Sequence, residues 1–377
     1  MEKHLHIICF TIPYPVDYGG VVDLFWKLPF LQQQGIKIHL HCFNYGRGEQ
    51  TILNQYCESV NYYQRKNDVI SLVSRNPFIV ATRENKLLEK VLLKDNHPIL
   101  CEGIHSTAIL KNKLFDNRRV VVRLHNVEHE YYQHLYKSAK NIFKKLFYWR
   151  EKNLLKLFES FVAKSGRYLF SVTENDAETF RHKFNTNNIS HLPLFIPDDW
   201  VCNSKVGGGD YCLYNGDLSV DVNQRAAIWL IENVASKIED VEFFFAGKNP
   251  SNKLVQATNK YENIKVIVNP NDDEMKDLIA NAHINILPSY SSSGIKLKLL
   301  NALYNGRLCL VNNDTIEGSG LDNLCLIANT QEEFINSIKA LMLKAFTLDE
   351  IEKRRLVLIK KFNNQVNAEL LIKYLFD

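Results

Sequence analysis

The chain has 377 residues, 46% of them hydrophobic and 23% charged, with a net charge of +4. This length exceeds the roughly 250–300 residues at which single cores stop growing, so we expect two globular domains, and the small charge gives no indication of nucleic acid. No apolar run nears the ~20 residues that span a bilayer. The eight cysteines are scattered, without the spacing of a zinc or disulfide framework, and the first residues do not resemble a signal peptide. Together these features predict a cytoplasmic protein.

Short apolar runs alternate with helical patterns along the first half of the chain. The predicted strands are 5–10, 36–43, 99–101 and 119–124, and the predicted helices are 21–34 and roughly 131–164. Strand–helix–strand alternation predicts a parallel sheet with helices on both faces.

The same alternation restarts after a linker marked by Pro193, Pro197 and the glycines of 207–209. The predicted strands are 212–215, 241–247, 264–268, 284–288 and 308–312, and the predicted helices are 223–234, 273–282 and 295–304. The pattern predicts two doubly wound α/β domains, 1–197 and 210–360, that face one cleft. Ligands in such folds bind beyond the carboxyl ends of the strands.

The loop after the predicted strand 284–288 carries the most informative chemical pattern. Lys296 and Lys298 open the predicted helix 295–304 with no acid beside them. Cations at this end oppose the helix dipole, whereas an anion would satisfy both the lysines and the unpaired first-turn N–H groups. The pattern therefore predicts a phosphate or diphosphate site, with two exposed surface lysines as the alternative.

Two loops of the first half carry weaker signals. Gly19 and Gly20 precede the predicted helix 21–34, where they allow a ligand close to backbone N–H groups or simply form a turn. Their spacing is not the Gly-x-Gly-x-x-Gly fingerprint of dinucleotide sites. Glu102 and His105 follow the strand 99–101, where they either face the cleft or hold the loops of the fold together.

His125 directly follows the predicted strand 119–124. An imidazole at a strand end can donate to a sugar hydroxyl or a phosphate oxygen, or move a proton. Glu128 adds a carboxylate, unless it only stabilises the start of the next helix. The spacing of His125 and His129 does not match a zinc motif, so no metal site is predicted.

The segment 137–156 contains seven basic residues interleaved with aromatic and aliphatic ones. Such a helix can lie on an anionic membrane, or it can pack its apolar face on its own domain and leave its charges in water. We favour the second interpretation because the helix follows directly from the sheet.

Three segments together resemble the retaining, nucleotide-sugar-dependent glycosyltransferases of the GT-B fold, known as glycosyl transferases group 1 or family 4-like enzymes. They are Gly19-Gly20, the stretch RLHNVE at 123–128 and the stretch GIKLKLLNAL at 294–303. The resemblance implies two Rossmann-like domains, with the acceptor on the first and the donor on the second, and a final helix, 361–377, that crosses back to the first domain. It implies no cofactor and no metal, because basic groups and a helix N-terminus stabilise the departing diphosphate.

The resemblance also assigns roles to individual residues. Catalytic roles are assigned to His125, Lys296 and Lys298. The donor would contact Gly19, Gly20, Gly216, Gly294, Asn301 and Glu317. The acceptor or sugar side would involve Glu102, His105 and Glu128.

One departure from the family pattern concerns two glutamates that are usually eight residues apart. Ser293 and Asn301 stand at those positions here. Asn301 retains hydrogen-bonding groups but lacks the charge that strengthens such bonds.

The leading hypothesis is therefore a retaining, metal-independent transferase of the hexosyl type. It would move a sugar from a nucleoside-diphosphate sugar to a hydroxyl of a glycan or lipid-linked acceptor, in polysaccharide or glycolipid biosynthesis. Its location would be the cytoplasm, with peripheral contact through 137–156 at the inner membrane face, and nucleic acid would not be a partner.

Two other functions remain open, whereas a dehydrogenase is disfavoured because neither half carries the glycine fingerprint. A nucleotide-sugar epimerase would need carboxylates poised for proton transfer. A non-catalytic nucleotide-binding protein is suggested by Ser293 and Asn301.

Overall fold

The computed structural model describes residues 2–17, 19–290 and 294–377. The fold divides into two compact units. The N-terminal unit comprises Met1–Pro197 with Phe362–Asp377, and the C-terminal unit comprises Asp198–Lys361. Among the described residues, every helix is either too short or too polar to cross a membrane.

A parallel sheet in the order β3-β2-β1-β4-β5-β6-β7 forms the centre of the N-terminal unit. Its strands are β1 (Lys3–Cys9), β2 (Ile36–Asn44), β3 (Ser59–Gln64), β4 (Ile99–Glu102), β5 (Val120–Leu124), β6 (Tyr168–Ser171) and β7 (Ile189–His191). The strand order reverses between β1 and β4, so the loops after these two strands border the position where ligands of such sheets bind. The sequence patterns predicted none of β3, β6 and β7.

Helices cover this sheet. They are α1 (Gly19–Gln33), α2 (Val69–Val73), α3 (Phe78–Ala81), α4 (Lys86–Leu92), α5 (Glu128–Ser138), α6 (Ile142–Ala163) and α7 (Glu174–Phe184). The single helical region predicted over 131–164 is wrong, because the chain forms α5 and α6 with a break between them. The side chain of Asn141 accepts hydrogen bonds from the N–H groups of Phe143 and Lys144, and this N-cap starts α6 anew.

The C-terminal unit has the same strand arrangement, in the order β10-β9-β8-β11-β12-β13. Its strands are β8 (Tyr211–Asn215), β9 (Glu242–Gly247), β10 (Ile264–Val268), β11 (Ile284–Ile286), β12 (Leu308–Val311) and β13 (Leu326–Ile327). Its helices are α8 (Asp221–Asn233), α9 (Asn252–Thr258), α10 (Asp272–Asn281), α11 (Leu297–Asn305), α12 (Asn313–Ile316), α13 (Gln331–Met342) and α14 (Leu348–Lys361). Here the order reverses between β8 and β11, which places the loop before α11 at the ligand-binding edge.

The last helix, α15 (Asn364–Phe376), belongs to the N-terminal unit. Its buried Leu371 and Leu375 join the same core as α1 and β1. The ring of Tyr374 stacks on Tyr168 at 4.0 Å, and Asn364 exchanges two hydrogen bonds with the backbone of Ile196. The end of the chain is thus tied to the first sheet by both apolar and polar contacts.

Histidines from β1 and β2 form a cluster on one face of the first sheet. His6 Nδ1 lies 2.8 Å from His41 Nε2, and His6 Nε2 lies 3.1 Å from the carboxylate of Asp95. His41 Nδ1 lies 2.9 Å from the Tyr63 hydroxyl. Burial lowers the pKa of His6 to about 4 and that of His41 to about 3. The fold therefore holds both rings neutral.

We expect this cluster to make the protein less stable in acid. The unfolded chain binds protons near the ordinary histidine pKa of about 6.5, whereas the folded rings stay neutral until about pH 4 or below. Stability should therefore fall as the pH drops from about 6.5 towards 4, by on the order of 1 kcal/mol per pH unit for each ring. Urea unfolding across this range would measure the slope.

A matched pair of variants separates the buried cluster from ordinary histidines. His41→Gln should reduce the pH slope, while His182→Gln, which changes an exposed histidine of α7, should leave it unchanged. An equal slope in His41→Gln and the wild type would contradict the assignment.

Candidate functional site

Four fully buried charged side chains meet beside the ends of β4 and β5 in the N-terminal unit. Asp23 of α1 accepts hydrogen bonds from Arg123 at 3.0 and 3.1 Å and from Lys27 at 3.1 Å. Lys27 also binds the carboxylate of Glu102. Burial alone would raise the pKa of Asp23, but Arg123 and Lys27 hold it well below its usual range. Two cations thus balance two carboxylates out of contact with water.

His125 extends this network towards the surface. Its Nε2 lies 2.8 Å from Glu102 Oε2 and 4.0 Å from Asp23 Oδ2. Because Lys27 and His125 lower the pKa of Glu102 against the effect of burial, this carboxylate is ionised and the imidazole Nε2–H donates to it. The hydrogen bond fixes the tautomer and leaves Nδ1 as the ring atom available for a substrate.

The same groups have the spacing of a possible cation site. One ligand atom each from Asp23, Glu102 and His125 lies within 4.8 Å of the others. Both carboxylates, however, already bind Lys27 or Arg123, and their charges are compensated. A metal ion would have to displace Lys27 from between them, so the donor set fits a positioning network better than a metal centre.

The other predicted residues of this unit occupy different positions. Gly19 and Gly20 are the first residues of α1. Glu102 is fully buried, so it contacts His125 rather than solvent. His105 stacks on Phe10 with ring centroids 5.0 Å apart, and burial holds its pKa well below the usual value.

Glu128 is also buried, and it has an unusual environment. Its backbone N–H donates to Glu159 at 2.7 Å, and its carboxyl lies 3.4 Å from the side-chain amide of Asn126. Burial and the nearby Glu159 raise its pKa to about 8. Glu128 is therefore a protonated carboxylic acid near neutral pH, a form that can donate a hydrogen bond.

In the C-terminal unit, the lysine pair lies at the start of α11 as predicted, although the helix begins at Leu297 rather than at residue 295. Lys296 is the N-cap residue, and its own side chain makes no capping hydrogen bond. The first turn contains no acid, so its N–H groups and two ammonium groups form a locally positive surface.

Lys298 is held against an aromatic ring. Its Nζ lies 4.6 Å from the ring centroid of Tyr214 and 3.4 Å from the Tyr214 hydroxyl. Burial, with a smaller effect of Lys296, lowers the pKa of Lys298 to about 7. Among the residues that the structure describes, no carboxylate pairs with Lys298, and a bound anion would favour its charged form.

The remaining predicted donor residues lie at the same edge of the second sheet. Gly294 has φ +66°, a conformation that favours glycine, and Gly216 directly follows β8. Asn301 accepts a hydrogen bond from the Asn305 side chain at 2.8 Å. Glu317 is exposed after α12, and Ser293 lies outside the described residues.

Several residues that organise these sites were not predicted. Asp23 and Lys27 are four residues apart on an otherwise apolar helix, and Arg123 interrupts an apolar strand. A charged residue in such a position is rarely buried unless it is paired, so this pattern was the available signal. No comparable signal pointed to Tyr214 or Asn312. The side chain of Asn312 exchanges hydrogen bonds with the Ser289 backbone at 2.7 and 2.9 Å.

Known proteins resemble this chain in part of its sequence and in its fold. Residues 209–344 match the family model described as Glycosyl transferases group 1. A Klebsiella pneumoniae protein described as "Uncharacterized 44.6 kDa protein in cps region" is 26% identical over 359 residues, covering 88% of this chain and 89% of that protein.

Two solved structures show the likeness in fold. TarM of S. aureus, in a complex that contains UDP, has a TM-score of 0.69 at 11% identity and covers 100% of both chains. WaaG, a glycosyltransferase involved in lipopolysaccharide biosynthesis, has a TM-score of 0.67 at 11% identity and covers 99% of both chains. The chain therefore has the GT-B fold of these glycosyltransferases, and its residues 209–344 match the Glycosyl transferases group 1 model.

Proposed function

We propose that this protein is a metal-independent glycosyltransferase that moves a hexosyl group from a nucleoside-diphosphate sugar to an acceptor hydroxyl, with retention of configuration. The observation that carries the proposal is the start of α11, where Lys296 and Lys298 lie beside the N–H groups of a first turn without an acid, within the residues that match the Glycosyl transferases group 1 model. TarM, which has the same fold, was solved in a complex that contains UDP.

The donor diphosphate would bind at this start of α11. Its negative charge would interact with both ammonium groups and with the positive end of the helix. As the glycosidic bond breaks, charge grows on the departing diphosphate, and groups already aimed at it stabilise the transition state more than the ground state. Gly294 allows the backbone to approach the ligand closely, and Asn301 and Glu317 would accept hydrogen bonds from hydroxyls.

On the acceptor side, His125 would contact the transferred sugar through Nδ1. Glu102 orients the ring through the 2.8 Å hydrogen bond at Nε2, and Lys27 and Arg123 keep the carboxylates ionised. We assign no protein nucleophile. The leaving diphosphate would instead take the proton of the incoming hydroxyl on the same face of the sugar, which gives retention.

The acceptor would be a glycan or a lipid-linked glycan. Support comes from the relative in a cps region and from the fold shared with WaaG, a glycosyltransferase involved in lipopolysaccharide biosynthesis. A cytoplasmic enzyme of this kind would use a nucleotide sugar as its substrate and would need no cofactor.

One observation favours a second candidate, a nucleotide-sugar epimerase. The protonated Glu128, with its pKa of about 8, could exchange a proton with a bound sugar. Incubation with donor alone distinguishes the two, because only an epimerase isomerises the free donor, whereas a transferase releases nucleoside diphosphate when an acceptor is added.

Replacing the lysine pair should weaken nucleotide binding. We expect Lys296→Ala with Lys298→Ala to raise the Kd for UDP by on the order of 10²- to 10⁴-fold in calorimetry, because two charge-assisted contacts of roughly 1.5–3 kcal/mol each are lost. Lys253→Ala, an exposed lysine of α9 in the same unit, is the control and should bind normally. Unchanged affinity in the double variant would remove the donor-site assignment.

Nucleotide binding should also take up protons near neutral pH. With its pKa near 7, Lys298 is partly neutral in the free protein, and the diphosphate favours its charged form. Affinity should therefore fall as the pH rises through about 7 to 9. Calorimetry in buffers of different ionisation enthalpy measures the protons directly. The uptake should disappear in Lys298→Arg, and its persistence there would assign it to another group.

His125 should affect the reaction rather than donor binding. We expect His125→Ala to lower kcat by on the order of 10²- to 10⁴-fold while the Kd for UDP stays within about twofold. His182→Ala, at an exposed position, is the control. Full turnover by His125→Ala would show that the imidazole plays no part in transfer.

A further inference from the structure

The first half of α6 carries large apolar side chains that the N-terminal unit leaves exposed. Ile142, Phe143, Leu146 and Trp149 are 70%, 79%, 63% and 50% exposed. Ile142, Leu146 and Trp149 follow one another at spacings of four and three residues, so they lie on one face of the helix. Farther along α6, Leu155 and Phe158 are buried in the core. In the first half, Phe147 and Tyr148 contact Phe78 and Tyr132 of the same unit, whereas the face with Ile142, Leu146 and Trp149 is exposed.

A second exposed apolar element lies next to this one. In α2, Val69, Ile70 and Val73 are each more than 70% exposed. The guanidinium of Arg150 donates to the carbonyl of Ser74 at the end of α2, so the two helices are held together. We call residues 69–73 and 142–149 together the α2–α6 surface. Large apolar side chains that are exposed next to one another usually mark an interaction site.

The α6 side of the α2–α6 surface is strongly basic, and the exposed acid Asp68 caps the start of α2. The segment 137–156 contains seven basic residues and a single acid, Glu151. Glu151 is fully buried, pairs with Arg150 and accepts a hydrogen bond from the Phe78 N–H at 2.6 Å, so it offsets one of the seven positive charges. The local excess of six positive charges is larger than the net charge of the whole chain, +4.

We propose that the α2–α6 surface docks on an anionic lipid bilayer. The apolar side chains would enter the boundary between headgroups and acyl chains, and the lysines would contact the lipid phosphates. Trp149 is suited to this depth because its ring is apolar and its indole N–H is polar. A second copy of this chain fits less well, because two such surfaces would bring like charges together.

Co-sedimentation with vesicles tests the proposal on the whole protein without nucleotide. We expect the protein to bind vesicles that contain phosphatidylcholine and phosphatidylglycerol, and to bind pure phosphatidylcholine far more weakly. Binding should weaken as salt is added, because the attraction to the lysines is screened. Equal binding to both vesicle types, or no binding to either, would overturn the proposal.

Surface variants then locate the contact. Each of Lys140→Gln and Lys144→Gln should lower the partition coefficient about fivefold, and Phe143→Ser with Leu146→Ser should lower it further. Matched controls in the C-terminal unit are Lys253→Gln with Lys260→Gln for charge, and Leu343→Ser for an apolar residue that is 90% exposed. Thermal unfolding confirms that every variant is folded. If the controls lose as much binding as the α6 variants, the site is wrong.

Tryptophan fluorescence distinguishes insertion from charge attraction alone. The emission of Trp149 should shift to shorter wavelength on anionic vesicles, and Trp149→Phe should abolish most of this shift while retaining binding. Binding without any shift would contradict insertion. Dimerisation that Phe143→Ser abolishes, seen by light scattering without lipid, would instead assign the surface to a second copy.

The vesicle result does not depend on the proposed transferase activity. The variant with Lys296→Ala and Lys298→Ala should bind vesicles normally even though its UDP binding is weakened. Loss of lipid binding and loss of nucleotide binding are thus separate outcomes.

Discussion

The buried ionic network of Asp23, Lys27, Glu102 and Arg123 is the interaction on which the N-terminal site depends. Its two carboxylates and two cations lie out of contact with water. The hydrogen bonds among them, none longer than 3.1 Å between donor and acceptor, join α1, β4 and β5. Breaking such a buried pair by removing one partner typically costs about 3–5 kcal/mol, because a charge is left uncompensated. The network therefore holds three elements in one arrangement, and the tautomer of His125 follows from it.

The two units present their polar groups in comparable places because both sheets reverse their strand order at a central strand. In the first sheet, the reversal between β1 and β4 brings Gly19, Gly20 and Glu102 to one edge. In the second sheet, β8 and β11 are neighbours, so Gly216, which follows β8, and Gly294, which lies between β11 and α11, are at the same edge. Residues far apart in the chain become neighbours through sheet topology, and the candidate groups lie at or near strand ends and the first turns of helices.

Helix α6 shows how one pattern can serve two purposes. The interpretation that its apolar face packs on the domain holds for the second half, where Leu155 and Phe158 are buried. In the first half it holds for Phe147 and Tyr148, which contact Phe78 and Tyr132, but not for Ile142 and Phe143, which are largely exposed. Periodicity indicates that a helix has an apolar face, but it does not indicate how far the neighbouring elements extend to cover that face.

The sequence by itself determined the α/β class, the repeated strand–helix pattern and the GT-B resemblance, because hydrophobic periodicity and glycine positions are local properties of the chain. It also identified Lys296 and Lys298, since a helix start without acids is visible in the residue order. Only the tertiary structure decided that Glu102 orients His125, and that Tyr214 holds Lys298. These pairs depend on strand order and burial. Glu102 and His125 are separated by 23 positions in the chain, and Tyr214 and Lys298 by 84.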